Sequence, residues 1–138
     1  MRDAMVDLPW QSVHAANHQR QYLALLSYLP LKGYRKMWMF SRHVRAIRRQ
    51  LAGTPGLIGY SLRAKLFRHR FWTLSVWDDD AALTAFVGHE PHRMTMGALG
   101  PHMDATAFVR WDVMGSDVPL SWDEAMRRSA AESGRGAP

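Results

Sequence analysis

The sequence predicts a single α+β domain, a β-α-β-β-α-β unit with an added C-terminal helix, and three observations carry that prediction. One is an apolar stripe at helical spacing, Met37, Phe40, Val44, Ile47 and Leu51. The second is a pair of β-rich runs, residues 57–66 and 71–77, parted by a short basic turn. The third is an acid-capped segment after Asp78-Asp79-Asp80, followed by one more β-type run. A chain of 138 residues, 47% hydrophobic and 22% charged, has the size and apolar content of one ordinary soluble domain.

Residues 1–20 are mixed and polar around Pro9 and Trp10. They hold no sustained period and are expected to form an arm or short helix, partly disordered. The domain proper should span residues 21–114. Residues 22–29, closed by Pro30, are too short for a helix and too apolar for a surface loop, which predicts a buried first strand. The stripe from Met37 to Leu51 then draws a helix whose opposite face carries Arg42, Arg45, Arg48 and Arg49. Gly53-Thr54-Pro55-Gly56 has the composition that stops a helix and turns the chain.

The two β-rich runs meet at Phe67-Arg68-His69-Arg70 and predict an antiparallel hairpin. Asp78, Asp79 and Asp80 set carboxylates at the positive end of a short helix with the stripe Ala82, Leu83, Phe86 and Val87. Pro91 suits the first turn of a further helical segment through His92, Met94 and Met96 toward Leu99, weakened by Gly97 and ended by Gly100-Pro101. Residues 105–113 give the last strand. In residues 115–138, Ser121-Trp122-Asp123-Glu124 has the spacing in which a serine caps a helix and the glutamate reaches back. A disordered tail is expected after Glu132.

This order is that of the split βαβ, or ferredoxin-like, unit: a four-stranded antiparallel sheet with helices on one face. The other face is expected to have no cover within the chain, although Phe71-Trp72-Thr73-Leu74-Ser75-Val76-Trp77 is apolar on both sides. A homodimer packing sheet against sheet would bury it.

Cysteine is absent, which excludes a disulfide framework, thiol catalysis, and Cys-ligated zinc, haem or iron–sulfur centres. No apolar run approaches the roughly 18 residues that span a bilayer, and the first twenty residues lack a signal-peptide core. A cytoplasmic protein with no membrane partner is expected. The excess of 18 Lys+Arg over 12 Asp+Glu, a formal charge of +6, brings anionic partners into consideration.

His89 and His92, three apart at a helix junction, are the candidate catalytic residues, as general base or axial ligand. His102 would complete a three-histidine set, but no carboxylate has matching spacing and no metal site is assigned. Arg93 offers a planar guanidinium to a propionate, carboxylate or phenolate; a solvated helix face explains it equally. Arg63 shares a strand face with Ser61 and Gly59, where an unpaired charge is costly, and its alternative is a salt bridge at a dimer interface. Trp72 and Trp77 are an odd number of positions apart, so only one can face a given cavity. Thr73 and Ser75 lie on the face of Trp77, while Phe86 and Met96 are candidate walls, the methionine sulfur suiting a flat ligand.

The first-helix arginines with Arg68, Arg70, Arg127 and Arg128 would serve a phosphate-binding face. A solvated face accounts for the same charges, and the aromatics lack the spacing of RNA-binding motifs on this topology. Nucleic acid is therefore not the expected partner.

The stretch Pro55-Gly56-Leu57-Ile58-Gly59-Tyr60-Ser61-Leu62-Arg63-Ala64, with Phe71-Trp72-Thr73-Leu74-Ser75-Val76-Trp77-Asp78-Asp79 and Ala82-Leu83-Thr84-Ala85-Phe86-Val87, resembles the antibiotic biosynthesis monooxygenase-like superfamily of dimeric α+β barrels. The nearest branch holds spheroidene monooxygenase-like proteins and small proteins with no assigned reaction, and the resemblance spans residues 22–113. It implies a homodimer with an apolar pocket in each subunit, a hydrophobic or planar ligand and monooxygenase-like activity. The cofactor stays open between haem and none, since members include haem-degrading oxygenases and cofactor-free oxygenases of polycyclic phenols.

The haem-degrading branch uses a His after the second helix, a Trp within it and an Asn on the first strand. Aligned on Val76-Trp77, this chain has Met96, Phe86 and Ser27 there. The cofactor-free oxygenases use a Trp, an Asn and Tyr residues near the pocket, and no Asn follows Asn17. The resulting expectation assigns His92 or His89 as base or ligand and Arg63 and Arg93 as anion anchors. Trp72 or Trp77, Phe86, Met96 and Ser75 would be the walls. The alternative is a non-catalytic homodimer that binds a ligand, or nucleic acid through its arginine face.

Overall fold

The computed structural model describes residues 5–32, 37–65, 67–89, 92–103 and 106–136. Two short strands, β1 (Met5–Asp7) and β2 (Gln11–Ser12), precede β3 (Gln21–Pro30), α1 (Met37–Ala52), β4 (Leu57–Lys65) and β5 (Arg70–Trp77). There follow α2 (Asp80–Gly88), α3 (His92–Leu99), β6 (Ala107–Met114) and α4 (Trp122–Gly136). The sheet order is β1-β4-β5-β3-β6, with β2 also on β4, and every pairing is antiparallel. The expected ferredoxin-like α+β architecture is therefore present. The expected positions of Leu66, Pro91 and Ala105 lie outside the described residues.

Local chemistry sets the corners. Gly56 ends the turn after α1 with φ +81°, a backbone conformation that costs glycine little, and a Cβ there would stand 2.5 Å from that of Ala82. Its carbonyl accepts from Asp78 N at 2.7 Å, which ties the start of β4 to the end of β5. Asp79 caps α2 by accepting from Ala82 N at 2.9 Å. Asp78 instead pairs with Arg20 at 3.2 Å, and Asp80 with Arg110. Ser121 caps α4 through Glu124 N at 3.3 Å, but the Glu124 carboxylate turns forward to Arg127 and Arg128 rather than back.

The arm departs from expectation. It is neither helical nor detached: Val6 faces Ala64, Asp7 faces Arg63, and Gln11 faces Tyr60. Leu8 N and Val13 N add bonds to the carbonyls of Leu62 and Ile58. An open β4 edge would leave a row of unpaired peptide groups, and the arm supplies their partners. Pro9, which has no N–H to give, sits between the two strands. At the other end α4 continues to Gly136, past the point where a disordered tail was expected.

Alternation along β3 sends Leu23, Leu25, Ser27 and Leu29 toward α1, α2 and α3, and Tyr22, Ala24 and Leu26 the other way. On that second face Ala24, Leu26, Leu74 and Trp111 are buried together with Ala125 of α4, and Leu120, Trp122 and Trp72 pack against them. Tyr22, Ile58 and Val76 are likewise covered by Trp10, Val118 and Leu120. Trp122 Nε1 donates to Ser61 Oγ at 3.3 Å, and that hydroxyl donates to the Leu8 carbonyl at 2.7 Å. This overturns the expectation of a second face left bare within the chain. The arm and α4 bury it within the chain.

Candidate functional site

The first face is filled differently. Leu51, Leu57, Tyr60, Trp77, Leu83 and Phe86 form one apolar cluster, and Leu31, Phe40, Leu99 and Met103 form another. Between the sheet and α1, α2 and α3, with walls drawn from both clusters, lies a cavity of about 660 Å³. That volume is in the range of small-molecule sites. Ser27, Ser41, Thr73 and Ser75 add hydroxyls to walls that are otherwise mostly aliphatic and aromatic.

Of the candidate residues, His92, Trp77, Phe86, Met96 and Ser75 all line this cavity. Strand parity accounts for Trp77 and Ser75: Trp77 is 1% exposed, and its Nε1 donates to Ser75 Oγ at 2.9 Å. Phe86 reaches back from α2 to stack obliquely on Trp77, ring centres 5.2 Å apart.

His92 opens α3 and rests against Phe86, with 4.9 Å between ring centres. Its backbone N–H donates to Gln50 Oε1 at 3.2 Å, which docks α3 on α1. The ring Nδ1 lies 3.3 Å from the Val87 carbonyl. A carbonyl only accepts, so this bond puts the proton on Nδ1 and leaves the Nε2 lone pair available. Burial lowers the His92 pKa below the ordinary 6.5, and the Val87 carbonyl offsets part of that.

The consequence for stability follows from the sign of the shift. Below about pH 6.5 the unfolded chain takes up a proton at this residue that the folded chain resists. Stability from His92 is thus fully present above that pH and is lost as pH falls through the lowered folded value. Urea unfolding between pH 7.5 and 5 should show a loss that His92→Gln reduces. An identical pH profile in the variant would contradict the assignment.

His89 and Arg93 are not brought to the cavity. His89 is exposed and closes α2, with its N–H on the Phe86 carbonyl at 3.1 Å and its Nδ1 against the Ala85 carbonyl; Arg93 is exposed on α3. The break between α2 and α3 separates His89 from His92 despite the short spacing, and Arg93, next to His92 on α3, lies on the exposed side of that helix. Arg63 and Trp72 border the cavity, but their side chains are engaged elsewhere. Arg63 forms a two-point pair with Asp7 at 2.6 and 2.9 Å and lies over Trp122 at 4.8 Å. The salt bridge weighed as the alternative for Arg63 is thus made, but within the chain. Trp72 packs on Tyr28, its partner across the ladder, at 5.2 Å.

Arg48 is the residue that sequence reasoning misplaced. It was expected on the solvated face of α1, yet it lines the cavity, and its Nε is buried without a hydrogen-bond partner. The signal was present: position 48 is four after Val44 and three before Leu51, on the border of the apolar stripe. Arg42, Arg45 and Arg49 remain exposed. Among the described residues no group of three or more His, Asp or Glu could hold a metal ion, and no helix is long and apolar enough to cross a membrane.

Residues 37–98 match the family model for antibiotic biosynthesis monooxygenase, a span that runs from the first turn of α1 into α3 and so contains most of the cavity wall. No curated protein matches the chain. Among solved structures, a candidate monooxygenase from Lactobacillus acidophilus superposes with TM-score 0.60 at 12% identity, over 77% of this chain and 51% of that one. SnoaB from Streptomyces nogalater, a cofactor-independent oxygenase, gives 0.54 at 14% identity over 65% and 90%. A dimeric ferredoxin-like protein of unknown function from Thermobifida fusca gives 0.58 at 16% over 70% and 95%. This chain spans about half the length of the Lactobacillus protein. The structural likenesses concern the fold, and with the family model they establish the resemblance at the level of the superfamily.

Proposed function

We propose that this monooxygenase-like chain binds a flat, largely apolar molecule between sheet and helices, and that His92 is the base that takes a proton from it. The observation that carries the reading is a partly buried imidazole in the wall of a cavity of about 660 Å³, its pKa lowered by burial. A neutral imidazole with a free Nε2 can accept a proton near pH 7. Apolar walls then hold the resulting anion away from bulk water. An electron-rich aromatic anion can pass electrons to dioxygen directly, a chemistry in keeping with the cofactor-independent neighbour.

A haem is the other group the superfamily raises, and the walls do not fit the haem-degrading arrangement. Ser27, Phe86 and Met96 line the cavity where that arrangement has Asn, Trp and His. The imidazole that is present lies against Phe86. No step is routed through haem.

Anthrone tests the reading, since its central CH₂ loses a proton to give a tricyclic phenolate. With one dioxygen this yields the diketone and one water. Dioxygen uptake above the buffer rate is expected, falling as pH drops through the lowered value of His92. His92→Gln should bind anthrone but lose about 10²-fold or more of the protein-dependent rate. Binding without uptake would reduce the protein to a ligand-binding module, and no binding would overturn the proposal.

A further inference from the structure

We propose that Arg48 makes the cavity selective for an oxyanion, a flat apolar molecule bearing one carboxylate or phenolate; this rests on the cavity being the ligand site. A guanidinium is a cation with five N–H donors and no acceptor. Its N–H groups seek acceptors when buried. Arg48 Nε is buried with no hydrogen-bond partner, in a wall built by Val44, Ile47 and Leu51 of the same helix.

The other arginines of the wall differ in kind. Arg63 is held by Asp7 through two bonds, and Arg110 is paired with Asp80. No Asp or Glu lines the cavity among the described residues. The acceptor closest in sequence, Gln50 Oε1, takes the backbone N–H of His92. The positive charge of Arg48 thus has no carboxylate in the wall to answer it, and an entering oxyanion would supply both the acceptor and the charge. His92, held neutral by burial, does not compete for that anion near pH 7.

Titration calorimetry on the whole chain at pH 7.5, with 2-naphthoate, 2-naphthol and 2-methylnaphthalene as probes, separates the outcomes. The carboxylate should bind about tenfold or more tighter than the neutral hydrocarbon. Arg48→Gln should abolish the difference while the hydrocarbon binds as before, and Arg48→Lys should keep part of it. Preference for 2-naphthol over 2-naphthoate, lost in the same variant, would mark a phenolate site instead. Equal binding of carboxylate, phenol and hydrocarbon, or a preference that survives in Arg48→Gln and in Arg48→Met, overturns the role of Arg48 and leaves the cavity reading standing. Failure of all three to bind overturns both.

Discussion

Trp77→Ala is expected to lower the free energy of unfolding by about 3–5 kcal/mol, the cost of deleting a large buried aromatic. Trp77 is 1% exposed and ends β5, paired in register with Leu23 of β3 and Leu57 of β4. It packs on Phe86 and shares a cluster with Leu51, Tyr60 and Leu83. Because the indole also forms part of the cavity wall, the space it leaves would merge with space already open, and collapse onto it would recover little. The Ser75 hydroxyl would lose its indole donor at the same time. The shift would be read from the urea midpoint at unchanged slope. A loss below about 1 kcal/mol, far under the range for such deletions, would mean that the cluster does not pack as described. Trp77→Phe should fall well short of the alanine effect.

Ending the chain at Asp117 should have the other large effect. The truncation removes Val118, Leu120, Trp122 and Ala125, and uncovers Leu26, Leu74 and Trp111. Each fully buried apolar side chain contributes roughly 1.5–3 kcal/mol relative to exposure, so a loss of several kcal/mol is expected. The bared face is also a contiguous apolar patch of the kind that drives association. Light scattering after size exclusion should show concentration-dependent self-association of the truncated chain, together with a lower urea midpoint. A monodisperse truncated monomer with the midpoint of the whole chain would refute the covering role of α4.

Much of this was legible because the signals are local. The stripe of α1, the glycine at position 56 and the acid at position 79 each act within a few residues of themselves. The structure places them where spacing predicted. The arm was illegible for the opposite reason: strands of three and two residues have no period to detect, and they exist only because β4 offers an edge. The capping serine foretold α4, but nothing near it foretold that Trp122 would reach Ser61, sixty-one positions away.

The site divides the same way. Parity along β5 put Trp77 and Ser75 on one wall from sequence alone. His89 and His92 could not be separated, because their spacing has helical meaning only if the helix is unbroken, and it is not. Arg48 was hidden by its type: charge assigned it to solvent, while its position on the stripe assigned it to the interior.

The cover supplied by α4 has a last consequence. In an assembly whose apolar face is shielded by a second copy, dilution weakens the shield, since stability is coupled to protomer concentration. Here the shield is tethered to the surface it protects, so its local concentration is set by the connecting chain and not by the solution. The cover of this one face therefore does not depend on how much of the protein is present.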